Sequence, residues 1–385
     1  MKITENCIVL FDFRGRVGKE GSDSFSRHLE YANKLFEISD GEITRLVILQ
    51  FSNDQIMNEI SRDHLSVITS RGLSRFKIPS PGVLLKISKL RGLSIKMLVI
   101  GDGHVTFLLS LIPRMVYKVL SKRNIPLQVQ IHHEVVKRSP TDGIVVFLKY
   151  LLTKFAIKSA NSVRVTTNSH SNQVEKAYGC PKNKLVAVPV RINLSRSTDT
   201  TYPYPRNKSI GIVGRLHRER DLQISFKVIK LLNEVDNNFK VLVLGEGPEE
   251  NSFREELTRE LGPERVAFLG YLTQGDFERA WMKIGVLLST AREESFGRTI
   301  RESLCRGVPV LVEKSLGAQE ASAIAPRGWL SFINHPLNQA ELFEQFSALL
   351  GMKTDDRFAN FHDLINAQIP EQLAVNWLNT IKNSS

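Results

Sequence analysis

The strongest structural signal in this chain is the stretch Ile284-Gly-Val-Leu-Leu-Ser289, Thr290-Ala-Arg-Glu-Glu-Ser-Phe-Gly297, Arg298-Thr-Ile-Arg-Glu-Ser-Leu-Cys-Arg-Gly-Val-Pro-Val310. An apolar run comes first and a short loop with a Phe-Gly pair follows. An amphipathic run then leads to a second apolar run. This order predicts strand, loop, helix and strand. Glu294 then lies on the loop, and Glu302 lies inside the helix.

This stretch offers a ligand two kinds of hydrogen-bonding group. A helix N-terminus presents free backbone N–H groups and a positive dipole end to phosphate, and carboxylates accept hydrogen bonds from hydroxyls. Eight helical residues span at most about 12 Å. The two glutamates therefore suit a ligand with an anionic middle and hydroxyls at both ends. The alternative is that both are solvated surface residues.

Composition indicates a globular protein of ordinary hydrophobicity. The chain has 385 residues, which suggests two domains, and its hydrophobic content is 42%. No apolar run reaches the roughly 18–20 residues that a membrane-spanning helix needs. Cys7, Cys180 and Cys305 have no spacing typical of a metal site or a disulfide framework. We therefore expect three buried thiols in a cytosolic protein.

Positive charge is concentrated in the first half of the chain. Residues 1–207 hold 31 basic and 16 acidic residues, a formal charge of +15, whereas residues 208–385 hold 21 and 24, a charge of −3. Between Leu65 and His133 eleven residues are basic and only Asp102 is acidic. Such a region attracts anionic lipid, nucleic acid or an anionic substrate. A solvated basic surface is the alternative.

Both halves alternate short apolar runs with longer amphipathic ones. The strands predicted in the first half are Cys7–Phe11, Arg45–Gln50, Met97–Ile100, Leu127–Ile131 and Val163–Thr166. Those predicted in the second half are Ser209–Val213, Lys240–Leu244, Val266–Leu269, Val286–Ser289 and Val308–Val312. Repeated strand-then-helix order predicts an α/β protein with two Rossmann-like, doubly wound parallel sheets.

A polar stretch with two prolines, residues 191–208, is predicted to link these two domains. The first domain is then 1–190 and the second 209–370. Residues 371–385 form a final helix that could pack back on the first domain. In two such domains a ligand site is expected in the cleft between them, at the carboxyl ends of the strands.

Short motifs follow several predicted strands. In the second domain Gly214-Arg-Leu carries Arg215, and Arg220 follows five residues later, so two guanidinium groups could reach one phosphate. In the first domain His132 and His133 end the strand that begins at Leu127. No Asp-x-Asp pair occurs in the sequence, so no metal site is expected.

Together these residues resemble the retaining glycosyltransferases of family 4, which have the GT-B fold. The resemblance covers most of the chain and is strongest from Ile210 to Val312. The motifs that carry it are Gly214-Arg-Leu with Arg220, Glu294-Ser-Phe-Gly297, Glu302, and Gly307-Val-Pro-Val310. It implies a metal-independent enzyme with no cofactor, which takes a nucleotide-diphosphate sugar as donor.

The resemblance also implies a role for individual residues. Arg215 and Arg220 would hold the donor diphosphate beside Gly214, and Glu302 would bind the ribose. Glu294 would contact the donor sugar, and the loop residues Ser295, Phe296 and Gly297 would line the same site. His133 would contact the transferred sugar, with His132 the weaker candidate of the pair. Gly21 and Ser22 match a first-domain loop at the cleft, on the acceptor side.

Several positions depart from the family pattern. Arg220 replaces a lysine, Asp221 replaces a glycine, and Ser295 and Ser22 each replace a glycine. These changes affect the expected sugar preference more than the reaction class. An inactive GT-B paralogue is one alternative, and a GT-B phosphorylase or a nucleotide-sugar epimerase is another.

The partners expected from the resemblance are a nucleotide sugar and a saccharide or lipid-linked acceptor. The basic first domain predicts peripheral binding to an anionic membrane, at the cytoplasmic face, in polysaccharide or glycolipid synthesis. Val83, Leu84, Ile87 and Leu90, flanked by Lys86 and Lys89, predict an amphipathic helix there. A basic protein that binds nucleic acid is the non-enzymatic alternative. It is less favoured because the basic stretch shows no aromatic stacking cluster.

Overall fold

The chain, seen in a computed structural model, divides into two α/β units. Unit 1 comprises Met1–Arg191 and Ala367–Ser385, and unit 2 comprises Ile192–Asn366. The structure describes residues 5–12, 17, 22–52, 58–73, 78–79, 93–101, 104, 106–108, 110–111, 114–115, 118, 124–132, 138–192, 194, 207–272, 274–352, 365–366 and 368–384. Among these residues, no helix is both long and apolar enough to cross a bilayer.

Unit 1 is built around one mostly parallel sheet. Its strands are β1 (Glu5–Asp12), β2 (Arg45–Ser52), β3 (Asn58–Arg62), β4 (Leu65–Leu73), β5 (Ile78–Pro79), β6 (Leu93–Gly101), β7 (Leu127–Gln130), β8 (Ser162–Val165) and β9 (Leu185–Ala187). The order is β3-β4-β2-β1-β6-β7-β8-β9, with β5 paired to β4. Only the pairs β3–β4 and β4–β5 are antiparallel among the described strands. Its helices before residue 192 include α1 (Asp23–Ile38), α2 (Ile144–Ser159) and α3 (Asn168–Tyr178), and the described residues 106–108, 110–111, 114–115 and 118 are also helical.

Both faces of this sheet are buried, because its side chains alternate between two hydrophobic clusters. Cys7, Val9 and Phe11 of β1 belong to one cluster, together with residues of α2 and α3. Ile8 and Leu10 belong to the other, together with residues of α1. Helices on both faces are the usual way to cover a parallel sheet.

Unit 2 contains a fully parallel six-stranded sheet. Its strands are β10 (Ser209–Val213), β11 (Lys240–Leu244), β12 (Val266–Gly270), β13 (Val286–Ser289), β14 (Val310–Val312) and β15 (Leu330–Phe332), in the order β12-β11-β10-β13-β14-β15. Its helices are α4 (Leu222–Val235), α5 (Glu250–Leu261), α6 (Gln274–Trp281), α7 (Arg298–Cys305), α8 (Leu316–Ile324) and α9 (Gln339–Gly351). This strand order reverses direction between β10 and β13, which is the topological switch point of a doubly wound sheet.

The last helix, α10 (Ile369–Lys382), packs on α1 in unit 1. Leu373, Ala374 and Trp377 are buried in the same cluster as α1. Trp377 Nε1 also donates to Gln128 Oε1 of β7 at 2.8 Å. The helix begins earlier than predicted, and residues 367–370 group with unit 1 rather than with the second domain.

Each strand predicted from the sequence corresponds to a strand of the structure, but β3, β4, β5, β9 and β15 were not predicted. The longest of these five is β4. Its polar residues interrupt the apolar run that would have marked it. Thr69 is buried and accepts a hydrogen bond from Gln50 Nε2 of β2 at 2.7 Å, and Ser66 accepts one from Arg45 at 2.8 Å. Buried polar side chains are tolerated where they are paired in this way. The predicted linker 191–208 is described only at residues 191, 192, 194, 207 and 208.

We predict that Trp377→Ala destabilises unit 1 by about 3–5 kcal/mol, because it removes a large buried ring and the donor to Gln128. The change can be measured by urea denaturation of the full chain. Val375→Ala, on the exposed side of the same helix, is the control and should change stability by less than about 0.5 kcal/mol. Equal effects of the two variants would show that α10 does not hold the fold.

Candidate functional site

The turn after β10 begins with Gly214, whose φ of +128° is unfavourable for any other residue. The Gly214 N–H donates to the carbonyl of Leu244 at 2.9 Å, and the Leu216 N–H donates to the carbonyl of Glu246 at 3.0 Å. The turn after β10 is therefore held to the end of β11 and the turn that follows it by two backbone hydrogen bonds. Between these two anchors Arg215 is exposed, and no ion pair to it occurs within the described part of the chain.

Arg220 lies directly against the same turn. A Cβ at position 214 would be 3.0 Å from Arg220 Nη2, so the guanidinium covers Gly214. Its Nη1 is 3.4 Å from Glu294 Oε2, and both side chains are partly buried. The Thr290 hydroxyl donates to the Arg220 carbonyl at 2.6 Å. Backbone and side chain of Arg220 are thus both fixed at the carboxyl ends of β10 and β13.

The loop 294–297 holds the Glu294 carboxylate from the other side. Glu294 Oε1 accepts the Gly297 N–H at 3.2 Å, and the Glu294 carbonyl accepts the Gly317 N–H at 2.6 Å. The two middle residues of this loop, Ser295 and Phe296, are buried. One oxygen of Glu294 therefore faces a guanidinium and the other faces a backbone amide.

Phe296 is covered by a buried cation. The Arg301 guanidinium lies 4.2 Å from the centre of the Phe296 ring and 3.5 Å from the Gly317 carbonyl. Burial lowers the pKa of Arg301 to about 10, and the charges of Glu320 and Glu294 oppose that shift. The arginine stays protonated at neutral pH and adds positive charge beneath the loop.

Glu302 lies in the middle of α7 and is almost fully buried. Its Oε1 accepts from Arg298 Nε at 2.8 Å. Arg306 holds the end of the helix, since it donates to the Glu302 carbonyl at 2.9 Å and forms two hydrogen bonds to buried Glu278. A carboxylate has about four lone-pair positions, so Glu302 retains acceptors for a further donor.

Arg215 and Arg220 line a small pocket at the switch point of the unit 2 sheet. Its lining includes Gly214, Arg215, Leu216, Arg220, Ser289 and Thr290. The carboxyl ends of adjacent strands at a switch point are where doubly wound sheets bind ligands. The pocket offers two guanidinium groups, and the Glu294 carboxylate lies beside one of them, 3.4 Å from Arg220. Together these side chains can bind an anion that carries hydroxyl groups.

Arg292 links three elements here and was not predicted. Its Nε is 3.6 Å from Asp221 Oδ2, and its Nη2 is 3.7 Å from the buried carboxylate of Glu313. Glu313 also pairs with His335. Arg292 therefore connects the residue after Arg220 to the end of β14. No local motif marks this role, because its partners lie far away in the sequence.

The predicted first-domain residues lie in unit 1. The Ser22 hydroxyl accepts the Phe25 N–H at 3.2 Å and caps α1. A serine before an amphipathic run is the usual signal for that capping role. His132 is exposed just after β7, with Nε2 3.2 Å from Gln130 Oε1. Gly21 and His133 lie outside the described residues, as do Lys86, Lys89 and the helix predicted around them.

In the described parts of both units, no group of three or more His, Cys, Asp or Glu side chains could hold a metal ion. The three cysteines are free and buried, as expected. Burial raises the pKa of Cys7 to about 12 and that of Cys180 to about 11. These thiols are therefore protonated at neutral pH and are poor nucleophiles.

Sequence comparison relates unit 2 to a known family. The family described as "Glycosyl transferases group 1" matches residues 202–360. A 2-deoxystreptamine glucosyltransferase of Streptomyces kanamyceticus is 21% identical over 183 residues, which cover 45% of this chain and 47% of that protein. The match thus spans about half the length of this curated relative.

Solved glycosyltransferase structures match almost the whole chain. The lipopolysaccharide outer core galactosyltransferase WaaB has a TM-score of 0.64 at 13% identity and covers 99% of this chain and 100% of its own. HepE of Anabaena, in complex with UDP and glucose, has a TM-score of 0.63 at 16% identity, and the match covers 98% of this chain and 99% of HepE. The pneumococcal O-GlcNAc transferase GtfA, with UDP and GlcNAc, has a TM-score of 0.61 at 10% identity and covers 99% of both. The predicted α/β fold class, GT-B, is confirmed.

We predict that Gly317→Ala destabilises unit 2 by about 1–3 kcal/mol. A Cβ at position 317 would lie 2.3 Å from Gly297 N and 2.6 Å from Phe296 C, and backbone atoms cannot move aside as a side chain can. Gly351→Ala is the control, since its Cβ would meet nothing within 4 Å. Urea denaturation of both variants checks this, and equal stability would contradict the close approach.

Proposed function

We propose that this protein is a glycosyltransferase that moves a sugar from a nucleotide-diphosphate sugar to a saccharide or lipid-linked acceptor. The observation that carries the proposal is the Arg220–Glu294 pair, 3.4 Å apart, at the switch-point pocket. One member suits a diphosphate and the other suits sugar hydroxyls. The family match over residues 202–360 supports the same class of reaction.

Each donor group has a proposed partner in unit 2. Arg215 and Arg220 bind the diphosphate and stabilise the charge that develops on it as it leaves. The N-terminus of α7 adds a favourable dipole to that charge. Glu302 binds the ribose hydroxyls through its remaining lone pairs. Glu294 and the amides of the loop 294–297 bind the sugar, with Gly297 closest to the Glu294 carboxylate.

The proposed reaction retains the anomeric configuration and needs no metal. The bond between the anomeric carbon and the diphosphate oxygen breaks, and the acceptor oxygen forms a bond to the same face of that carbon. The acceptor proton passes to the departing phosphate oxygen. No side chain is assigned as a covalent nucleophile, and His133 is assigned to contact the transferred sugar.

The acceptor is proposed to lie at an anionic membrane surface on the cytoplasmic side, in the synthesis of a cell-surface polysaccharide or glycolipid. The formal charge of +15 on residues 1–207 supports this partner. The protein would then be peripheral to the membrane. Binding of nucleic acid is not part of the proposal.

We predict that one nucleotide sugar from a panel of UDP-, GDP- and ADP-sugars raises the Tm of the protein, because a ligand of the native state stabilises it. With that donor, Glu294→Gln and Arg215→Ala should each lower turnover by about 100-fold, because each removes charge stabilisation at the reacting group. Donor consumption and product formation are measured by chromatography.

Arg279→Ala is the matched control, since Arg279 is exposed on α6 and pairs only with nearby Asp276 among the described residues. It should turn over donor like the parent. If Glu294→Gln and Arg215→Ala do so as well, the site assignment is wrong. If no nucleotide sugar shifts the Tm, the donor class is wrong.

We also predict that the reaction proceeds in excess EDTA and gives a product with the anomeric configuration of the donor. Proton NMR of the purified product reports that configuration through the coupling constant between the anomeric proton and the proton on the neighbouring carbon. An inverted product would contradict the retaining mechanism. Loss of turnover in EDTA, restored by a divalent ion, would contradict metal independence.

A further inference from the structure

Helix α2 presents an apolar stripe to the exterior. Ile144 is 63% exposed, Leu148 is 50% exposed and Phe155 is 59% exposed. At 100° per residue these three lie within about 40° of one another around the helix axis. Val145, next to them, is 60% exposed. Large apolar side chains scattered singly need no explanation, but a continuous stripe on one helix indicates a binding surface.

The opposite side of α2 is firmly seated on unit 1, so the stripe cannot turn inward. Tyr150, Ala156 and Ile157 are buried in the sheet cluster. The Tyr150 hydroxyl donates to the Ala177 carbonyl at 2.6 Å. Its ring stacks on Tyr178 of α3, with ring centres 5.1 Å apart. The hydrophobic core thus holds α2 through these residues and through partly buried Phe147 and Leu151, and it leaves Ile144, Leu148 and Phe155 exposed.

Basic side chains flank this stripe on both sides. Lys149 lies about 120° from the middle of the stripe in one direction, and Lys154 and Lys158 lie about 60–100° away in the other. All three lysines are exposed, and α2 contains no Asp or Glu. An apolar stripe between lysines is the pattern of a helix that lies in the interface of an anionic bilayer.

A second set of exposed apolar residues lies on the same face of the sheet. Leu108, Leu111 and Met115 are 46%, 41% and 68% exposed, and their spacing places them on one side of a helix. They belong to the crossover from β6 to β7, whereas α2 belongs to the crossover from β7 to β8. Right-handed crossovers between successive neighbouring strands lie on one face of a sheet. Phe107 and Tyr150 share one buried cluster accordingly.

We propose that the outward face of α2 is the membrane-docking surface of unit 1, and that its ligand is the surface of a bilayer rich in anionic lipid. Ile144, Leu148 and Phe155 enter the acyl boundary, and Lys149, Lys154 and Lys158 bind the lipid phosphates. The charge of +15 on residues 1–207 complements an anionic surface and argues against a basic or neutral partner. This inference rests on the membrane part of the proposed function, and it is independent of the donor site.

The test is co-sedimentation of the full chain with vesicles of phosphatidylcholine alone or with phosphatidylglycerol, at physiological salt. The parent should bind the anionic vesicles at least about tenfold more strongly than the neutral ones. Leu148→Glu with Phe155→Glu should lower binding to the anionic vesicles at least about tenfold. Lys154→Gln with Lys158→Gln should weaken it severalfold and leave any binding to neutral vesicles unchanged.

The matched control is Val235→Glu with Ile324→Glu, which makes the same charge change at two exposed apolar positions of unit 2 and should bind like the parent. Equal loss in this control would overturn the proposal, because charge alone would then explain the effect. Parent-like binding by the Leu148 and Phe155 variant would also overturn it. If that variant misfolds by circular dichroism, the lysine variant decides the question.

Two further measurements separate the remaining outcomes. Sedimentation velocity of the parent without vesicles should show a monomer. If the parent self-associates and Leu148→Glu with Phe155→Glu abolishes that association, the face binds a second copy of the chain and the lipid proposal is overturned. The Tm shift by nucleotide sugar should be the same in parent and variants. Vesicle binding without any nucleotide-sugar shift would instead reject the donor assignment and keep the docking surface.

Discussion

The loop that carries Glu294 passes so close to the start of α8 that position 317 has room only for a hydrogen atom. The Gly317 N–H donates to the Glu294 carbonyl at 2.6 Å, and a Cβ there would lie 2.3 Å from the amide nitrogen of Gly297. This approach fixes the Glu294 carboxylate and the first turn of α7 together. Arg220 is then held by Glu294, so the position of Arg220 depends on a glycine 97 residues further along the chain.

The order of the strands turns these local contacts into one site. β10 and β13 are neighbours in the sheet, although 72 residues lie between Val213 at the end of β10 and Val286 at the start of β13. Their carboxyl ends bring Gly214 and Thr290 to the same pocket. The hydrogen bond from Thr290 to the Arg220 carbonyl crosses that switch point. A parallel sheet with this order therefore creates a place where one loop supplies cations and the next supplies a carboxylate.

Charge and hydrophobicity are divided between the two units in a way that suits two different ligands. Unit 2 pairs its charges beside a small pocket and within α7, as Arg220–Glu294 and Arg298–Glu302 show. In unit 1, the lysines of α2 are exposed beside apolar side chains that the core does not use. A pocket of paired charges suits a small anion with hydroxyl groups, whereas an open apolar and basic surface suits an extended partner.

The sequence by itself determined ten of the fifteen described strands, the two doubly wound sheets and the turns after β10 and β13. Those features depend on local periodicity and on turn residues, which can be seen in a short window. It missed five strands, of which β4 is the longest. In β4, Ser66 and Thr69 are buried with cross-strand partners that no window contains. The structure adds that the Ser22 hydroxyl caps α1.

Only the tertiary structure decided which residues meet. Glu294 and Glu302 were paired by their spacing, yet Glu294 faces Arg220 and Glu302 faces Arg298. Arg292 gained its partners Asp221 and Glu313 through the strand order alone. Only the packing shows which apolar residues of α2 face outward. The physical reason is that burial and charge pairing depend on contacts between distant segments, which local sequence does not contain.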